Sequence, residues 1–358
     1  MRAGLRSLRA FKRRGVVTEL KGTTAMFGPY GVLAAVSPYR DNGPDPATQN
    51  AIGNHYNSNA GNAGFLSNLG ETNYDIPYMQ SASGARGLDR LPANARGCRA
   101  YRFRLEFNDG PAAGSTLPRR KQMTRFGDTG ANLATGLGVL SFRGVPHLRA
   151  FSFRLSAASR AKLQNSDAML IWQIKNSVNS PGCSININAH NYSDSGALGT
   201  TGSTPRLVFQ AVDSAGAKVQ SVIKNDIPHD VACHLIVRVT SVFGTGVGVG
   251  ASNEVWFATQ DDAAFAKPVD NTGCNLNSDS DLINEQWGCY HFADNTTAQS
   301  IANGTGGWPN SAPFWAAGDF YDIDFGEYTR ATPEVAARAP TAAQLAQWLA
   351  TMKVRAGI

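Results

Sequence analysis

Hydrophobic and polar residues alternate in several short segments of the chain, beginning near residue 98. Residues 99–107 (RAYRFRLEF) place Tyr, Phe or Leu at every second position, with Arg or Glu between them. Residues 147–155 (HLRAFSFRL) repeat this alternation. Because successive side chains of a strand point to opposite faces, both segments are predicted to be β-strands with one face against a core.

Six further segments fit strands and are separated by loops rich in Gly, Asn, Pro and Ser. They are residues 168–175, 184–189, 206–212, 233–242, 254–259 and 320–328. No helical pattern alternates with them, which argues against a parallel sheet. Many short strands with turn-rich connections predict an all-β fold, an antiparallel β-sandwich or jelly roll, over residues 98–332.

The two ends of the chain have different patterns. Residues 15–97 show little periodicity, and residues 50–70 are rich in Asn, Gly, Ser and Ala. We therefore expect residues 1–97 to form a basic tail and an arm that docks on a neighbouring subunit or a larger assembly. Thr341 and Gln344 form a capping-box pattern ahead of Leu345 and Trp348, which predicts a short helix within residues 333–358, docked on the sandwich.

The composition agrees with a turn-rich β protein. Charged residues make up only 17% of the chain and there are 37 glycines, unlike a helical bundle or a coiled coil. The chain has 33 basic and 27 acidic residues, and six of the basic ones lie in residues 1–14, which contain no acid. The remaining chain carries 27 residues of each sign. The folded body is therefore not a basic surface, and a nucleic-acid partner is not expected.

Other kinds of chemistry find little support. The five cysteines form no CxxC motif; buried free thiols are the favoured interpretation, and a disulfide between Cys274 and Cys289 is the alternative. No segment approaches the ~20 apolar residues needed to span a membrane, and no secretory signal is seen. Asn277, Asp279 and Asp281 could help to hold Ca²⁺, but a solvated acidic loop is the favoured interpretation and no cofactor is predicted.

The order of the strand segments resembles that of a known family. The segments are residues 101–107 (YRFRLEF) with the turn NDG, residues 150–155 (AFSFRL), residues 172–175 (WQIK), residues 233–239 (CHLIVRV) with residues 254–257 (EVWF), and residues 324–330 (DFGEYTR). Together they resemble the jelly-roll polysaccharide lyases of the alginate, glucuronan and heparin-lyase type, over residues 98–330. The resemblance implies a jelly-roll fold and an acidic polysaccharide as the ligand.

In that family a base removes the proton at C5 of a uronic acid and an acid assists the O4 leaving group, while neutralisation of the substrate carboxylate stabilises the transition state. The resemblance implies that Gln173 is the carboxylate neutraliser and Tyr328 the acid/base tyrosine. It also implies that Arg104 and Arg330 bind substrate. The two-residue strand period places Gln173 with Lys175, and Tyr328 with Arg330, an arrangement that would suit one groove.

The chain departs from the family at the catalytic His, where it has Lys175. A lysine with an ordinary pKa of about 10.4 is a poor base at neutral pH unless burial lowers it. His190 could supply a base from a neighbouring strand, although a structural role is more common for such a histidine. Trp287, Tyr290 and His291 are candidates for contacts with sugar rings, whereas Trp172 and Trp315 are expected in the core.

These features favour a polysaccharide-recognising jelly-roll protein with weak or no lyase activity, either extracellular or virion-associated. The basic tail and the arm suggest a spike, decoration or fibre component of a bacteriophage virion, in a homo-oligomer or a larger assembly, that contacts the host's surface glycan. The alternative is an active lyase that cleaves an acidic, uronate-containing glycan by β-elimination.

Overall fold

The computed structural model describes fourteen segments of the chain. They are residues 24–28, 32–36, 78–81, 89–91, 100–106, 119–126, 146–163, 168–176, 181–188, 204–212, 218–240, 252–272, 283–291 and 320–357. Within them, strands dominate. The strands are β1 (Val32–Val36), β2 (Tyr78–Ser81), β3 (Asp89–Arg90), β4 (Tyr101–Glu106), β5 (Arg119–Phe126), β6 (His147–Leu155), β7 (Ala168–Asn176), β8 (Pro181–Asn188), β9 (Arg206–Val212), β10 (Lys218–Lys224), β11 (Cys233–Val239), β12 (Ser252–Thr259), β13 (Ala266–Thr272), β14 (Ile283–His291) and β15 (Phe320–Ala331). The helices are α1 (Thr24–Phe27), α2 (Ala157–Leu163), α3 (Pro333–Ala336) and α4 (Ala342–Arg355).

The strands form two antiparallel sheets. Sheet A has the order β13-β12-β11-β6-β15-β4-β3, and β1 pairs in addition with the C-terminal half of β15. Sheet B has the order β10-β9-β8-β7-β14-β5-β2. Two antiparallel sheets with few helices confirm the all-β sandwich that the alternating segments predict.

The main core lies between the two sheets. Its members share a position on the inward face of their strand and are almost completely buried; among them are Phe103, Phe151, Phe153, Trp172, Ile185, Phe209, Leu235 and Tyr321. Burial of large apolar side chains from both sheets is the main source of stability for such a sandwich. The prediction that Trp172 belongs to the core is confirmed, since its side chain has no exposed surface.

Helices α1, α3 and α4 cover the outer face of sheet A, where a second apolar cluster forms. Trp348 and Met352 of α4 pack with Ile236 and Trp256 of the sheet, and Phe27 of α1 packs edge-on against Trp348 with ring centroids 5.0 Å apart. At the start of α4, the Thr341 hydroxyl accepts a hydrogen bond from the backbone N–H of Gln344, and the Gln344 side chain accepts one from the backbone N–H of Thr341. The capping box and the docked C-terminal helix are therefore present as predicted.

The described part of residues 1–97 differs from the expected separate arm. Its three strands belong to the sandwich, since β1 pairs with β15, β2 with β5 and β3 with β4. These strands have only two to five residues, too few for a periodic pattern to be read from the sequence.

Four other strands, β5, β10, β13 and β14, also escaped the sequence analysis. Their sequences (RRKQMTRF, KVQSVIK, AKPVDNT and INEQWGCYH) are rich in polar residues. Alternation is clearest when one face is uniformly apolar, so such strands give a weak signal.

Candidate functional site

A row of polar residues crosses the whole of sheet B. Neighbouring strands align these seven residues by direct Cα pairing, in the order Tyr78, Thr124, Gln286, Gln173, Ser184, Gln210 and Gln220. We call this set the polar row. Each strand of the sheet contributes one member, and no member is a hydrophobic aliphatic residue or a charged one. A row at a single level in seven consecutive strands makes a continuous polar line perpendicular to the strands.

The central members of the polar row face away from the core. Trp172 and Ile174 flank Gln173, Cys183 and Ile185 flank Ser184, and all four flanking residues belong to the core cluster. Because side chains alternate along a strand, Gln173 and Ser184 point to the outer face of sheet B. Both have low exposure, 4% for Gln173 and 1% for Ser184.

Asn186 lies next to the polar row on the same face of β8. Its Nδ2 atom donates to Ser184 Oγ at 3.2 Å and to Gln210 Oε1 at 3.3 Å. Asn186 Oδ1 and Gln220 Nε2 are buried atoms that have no hydrogen-bond partner in the structure. The outer face of β8–β10 thus holds an amide network with one acceptor and one donor still available.

Amide and hydroxyl groups of this kind are suited to sugars. A sugar hydroxyl both donates and accepts hydrogen bonds, and side chains of Gln, Asn and Ser can meet either requirement. On the outer face of sheet B, the side chains that the structure describes gather such groups at Gln173, Ser184, Asn186, Gln210 and Gln220. This face is therefore the candidate binding surface.

A second polar cluster lies inside the sandwich, between the sheets. Arg149 of β6 donates to Glu285 of β14 through Nε to Oε1 at 2.5 Å and Nη2 to Oε2 at 2.9 Å, and neither side chain is more than 1% exposed. Trp172 Nε1 donates to Glu285 Oε1 at 3.1 Å and to the Tyr328 hydroxyl at 2.8 Å. The Tyr328 hydroxyl in turn donates to Glu285. These bonds hold an ion pair in a dry interior, where an unpaired charge would be very unfavourable.

Tyr328 is therefore an interior residue. Its ring stacks on Trp287 with centroids 4.2 Å apart and an interplanar angle of 5°. Burial, reinforced by the Glu285 carboxylate, raises the pKa of Tyr328 well above its ordinary value. The structure does not bring Tyr328 and Gln173 into one groove as expected, because β15 is a central strand of sheet A and this part of it packs against the core.

Two other candidates for substrate binding also lie inside. Trp287 is 4% exposed and pairs with Trp172 across β14 and β7 on the inward side. Arg330 is 3% exposed, and its Nη2 atom lies 3.3 Å from His147 Nδ1. The two-residue period placed Tyr328 and Arg330 on one face of β15; that face looks toward the opposite sheet and not toward solvent.

Arg104 lies on the opposite surface of the molecule from Gln173. Tyr101 and Phe103 of β4 are core residues, so Arg104 points to the outer face of sheet A, where its Nε atom is 3.6 Å from Asp322 Oδ1. Nearby, Arg102 donates to Asp324 at 2.7 Å. Arg104 thus takes part in a surface charge ladder, which is a different surface from the polar row.

For Lys175, Tyr290 and His291 the structure describes only the position of the backbone. Lys175 follows Gln173 by two residues on β7 and pairs with Asn284, while Tyr290 and His291 pair with Leu170 and Met169. His190, Trp315 and the Asn277–Asp281 segment lie outside the described residues.

Within the described part of the chain, three cysteines can be compared with the expectation. Cys183, Cys233 and Cys289 are buried free thiols, as favoured from the sequence. No group of three or more His, Cys, Asp or Glu residues in that part could hold a metal ion. None of its helices is long and apolar enough to cross a membrane.

The residues beside Gln173 were missed by the sequence analysis. Ser184 and Asn186 alternate with apolar residues in the segment CSININ, and Gln210 interrupts the apolar segment LVFQAV. Polar residues at alternate positions of a buried strand were the sequence signal that could have identified these residues. Only the strand register, which the sequence does not provide, shows that these residues align with Gln173.

Comparison with known proteins yields likenesses at the level of fold. No family model and no curated protein matches the sequence. A solved endo-β-1,4-glucuronan lyase from the fungus Trichoderma reesei matches with 13% identity over 71% of this chain and 90% of its own, at a TM-score of 0.44. Alginate lyase Aly36B matches with 11% identity over 84% of this chain and 98% of its own, at 0.42. The catalytic domain of a glycoside hydrolase family 131 protein from Coprinopsis cinerea matches with 10% identity over 87% and 96%, at 0.48.

Two of these three structures are polysaccharide lyases, the class that the sequence resemblance names. The likeness concerns the architecture of the sandwich.

Proposed function

We propose that the outer face of sheet B binds a polysaccharide, and that the protein is a glycan-recognition protein with weak or no lyase activity. The observation that carries this proposal is the polar row, with one polar, uncharged residue from each of seven neighbouring strands. The outer face of an antiparallel sheet is ordinarily polar, but Gln173, Ser184 and Gln210 are unusual for such a face, because they are uncharged and at most 6% exposed.

The dimensions of the row suit a polymer. Strands in a sheet lie about 4.8 Å apart, so seven strands span about 29 Å. An extended glycan lying across the strands would place successive sugar units over successive strands. Each unit would then meet amide or hydroxyl groups that can donate to and accept from its hydroxyls.

Weak or absent catalysis follows from the position of Tyr328. β-Elimination requires a base near C5 and an acid near the O4 leaving group, both within hydrogen-bond reach of the bound sugar. The Tyr328 hydroxyl is instead occupied by Trp172 and Glu285 in the interior. Its raised pKa also makes deprotonation at neutral pH unfavourable.

One observation favours the alternative, an active lyase. Lys175 is two residues from Gln173 on β7, so a basic residue and an amide that could neutralise a carboxylate are close neighbours on one strand. In this second candidate function, Lys175 takes the C5 proton of a uronate while the C4–O4 bond breaks and a C4–C5 double bond forms. The departing O4 takes a proton from solvent and becomes a hydroxyl of the released part of the chain. A lowered lysine pKa would be required.

An acidic, uronate-containing glycan is our proposed ligand, with Gln173 and Lys175 at the position of a carboxylate. Association with a virion, oligomerisation and docking through residues 1–97 remain predictions from the sequence.

Affinity electrophoresis tests the proposal. The purified protein is run through native gels that contain alginate, a glucuronan, a polymer of alternating uronate and N-acetylhexosamine, or a neutral β-glucan. Absorbance of the unsaturated uronate product is followed in parallel. We expect retardation in at least one gel without a rise in absorbance. Unchanged mobility in all gels would refute polysaccharide binding, and a rise that Lys175→Ala abolishes would establish the lyase instead.

A further inference from the structure

We infer that β8, β9 and β10 form a subsite for an uncharged sugar unit, adjacent to the Gln173 position. The inference rests on the proposed function and adds to it a requirement on the ligand. The polysaccharide must carry a neutral, hydroxyl-rich unit beside its uronate, as a heteropolysaccharide does.

The part of the face formed by β8, β9 and β10 is uncharged at its centre. Its described side chains away from the strand ends are Ser184, Asn186, Val208, Gln210, Gln220 and Val222. None of them is charged, and Ser184, Asn186 and Gln210 are at most 6% exposed. Arg206, a cation on the same face, lies at the first position of β9 and pairs with Asn188 at the end of β8. Recognition of a carboxylate usually relies on a cation or on several convergent N–H donors, and the centre of the subsite offers no cation.

The hydrogen bonds of Asn186 leave an acceptor, and not a donor, for the ligand. Both N–H groups of Asn186 are already used, one toward Ser184 Oγ and one toward Gln210 Oε1. What remains is the buried acceptor Asn186 Oδ1, which has no partner. A carboxylate is itself only an acceptor and cannot pair with this atom, whereas a sugar hydroxyl can donate to it.

A complementary donor lies on β10, two strands away from Asn186. Gln220 Nε2 is also buried without a partner, and Gln220 is paired with Gln210, which is paired with Ser184. Sugar hydroxyl groups can donate to the acceptor on β8 and accept from the donor on β10. Buried polar groups without partners destabilise a folded protein, and in native structures nearly all are satisfied by protein, water or ligand.

Binding measurements with three polymers and two substitutions test the inference. The probes are alginate, in which every unit carries a carboxylate, a polymer of alternating glucuronate and N-acetylhexosamine, and a neutral β-glucan. The variants are Asn186→Leu, which removes the acceptor, and Asn186→Asp, which keeps an acceptor and adds a negative charge. Dissociation constants are measured by isothermal titration calorimetry, and thermal melting identifies variants that fold.

We expect the wild-type protein to bind the alternating polymer about tenfold more tightly than alginate, the size of one buried hydrogen bond. Asn186→Leu should remove that preference, because the affinity for the alternating polymer should fall about tenfold more than the affinity for alginate. Asn186→Asp should retain binding of the alternating polymer within about threefold, because its carboxylate still accepts a hydroxyl. If Asn186→Leu does not fold, Gln220→Leu at the edge strand is used, with the same expected loss of preference.

The binding results distinguish failure of the neutral subsite from failure of polysaccharide binding as a whole. Tighter binding of alginate than of the other polymers, or equal losses for all polymers in Asn186→Leu, would overturn the neutral subsite while leaving the proposed function intact. Binding of none of the three polymers would overturn both.

Discussion

Gln173 and Tyr328 lie on opposite sides of sheet B. The Tyr328 hydroxyl accepts a hydrogen bond from Trp172 Nε1 at 2.8 Å from inside the sandwich, while the next residue, Gln173, faces outward. Strand β7 therefore separates the two groups that the lyase family would use together. Any chemistry on the outer face has to proceed without Tyr328, which is why recognition, and not elimination, is the function that these residues support best.

Substitution of Tyr328 by Phe should affect stability and leave glycan binding unchanged. Glu285 would lose one donor in a buried site, which costs about 1–3 kcal/mol of the free energy of unfolding. Urea unfolding measures this loss, and affinity electrophoresis measures binding. Loss of binding in a variant with wild-type stability would show that Tyr328 contacts the ligand after all.

Replacing only one member of the buried ion pair between Arg149 and Glu285 should lower the free energy of unfolding strongly. Arg149→Met leaves the buried Glu285 carboxylate without the cation that pairs with it, so we expect the free energy of unfolding to fall by about 3–5 kcal/mol. Replacing both residues, as in Arg149→Met with Glu285→Leu, should recover a large part of the loss, because no unpaired charge then remains. Urea unfolding of the two single variants and the double variant gives the coupling energy. Additive losses in the double variant would contradict the pairing.

Sequence alternation predicted the sandwich but only part of the site. The strands of HLRAFSFRL and CHLIVRV were found because one face of each is apolar throughout. The side that β15 turns toward the core, and the pairing of β14 with β7, depend on which strands become neighbours. That is decided by packing between segments distant in the chain. The sequence therefore could not show that Gln173 lies on the outer face of sheet B, while Tyr328 and Trp287 lie in the interior and Arg104 lies on the outer face of sheet A.

His234 makes stability depend on pH. It is completely buried on the outer face of sheet A, where its Nδ1 atom lies 2.7 Å from Ser152 Oγ. Burial, with a smaller effect of Lys353, lowers the pKa of His234 from 6.5 to about 4. Between these two values the unfolded chain binds a proton that the folded protein does not, so stability is lost as the pH falls from 6.5 toward 4. The contribution is on the order of 3 kcal/mol.

Urea unfolding at several pH values tests this assignment by comparing slopes. The variant His234→Asn should lose stability less steeply than the wild-type protein between pH 6.5 and 4, because one proton-binding site of the unfolded chain is gone. Parallel curves for the wild type and His234→Asn would contradict the prediction.

The most direct test of the central claim compares the two outer surfaces of the sandwich. Calorimetric titration with the best-bound polysaccharide is done with Gln173→Ala/Gln210→Ala on sheet B and with Arg104→Ala on sheet A as the matched control. Loss of two side chains that hydrogen-bond the ligand should weaken binding at least about tenfold, while Arg104→Ala should bind as the wild type does. Wild-type affinity in the sheet B variant together with weakened binding in Arg104→Ala would place the glycan on the other face and contradict the account.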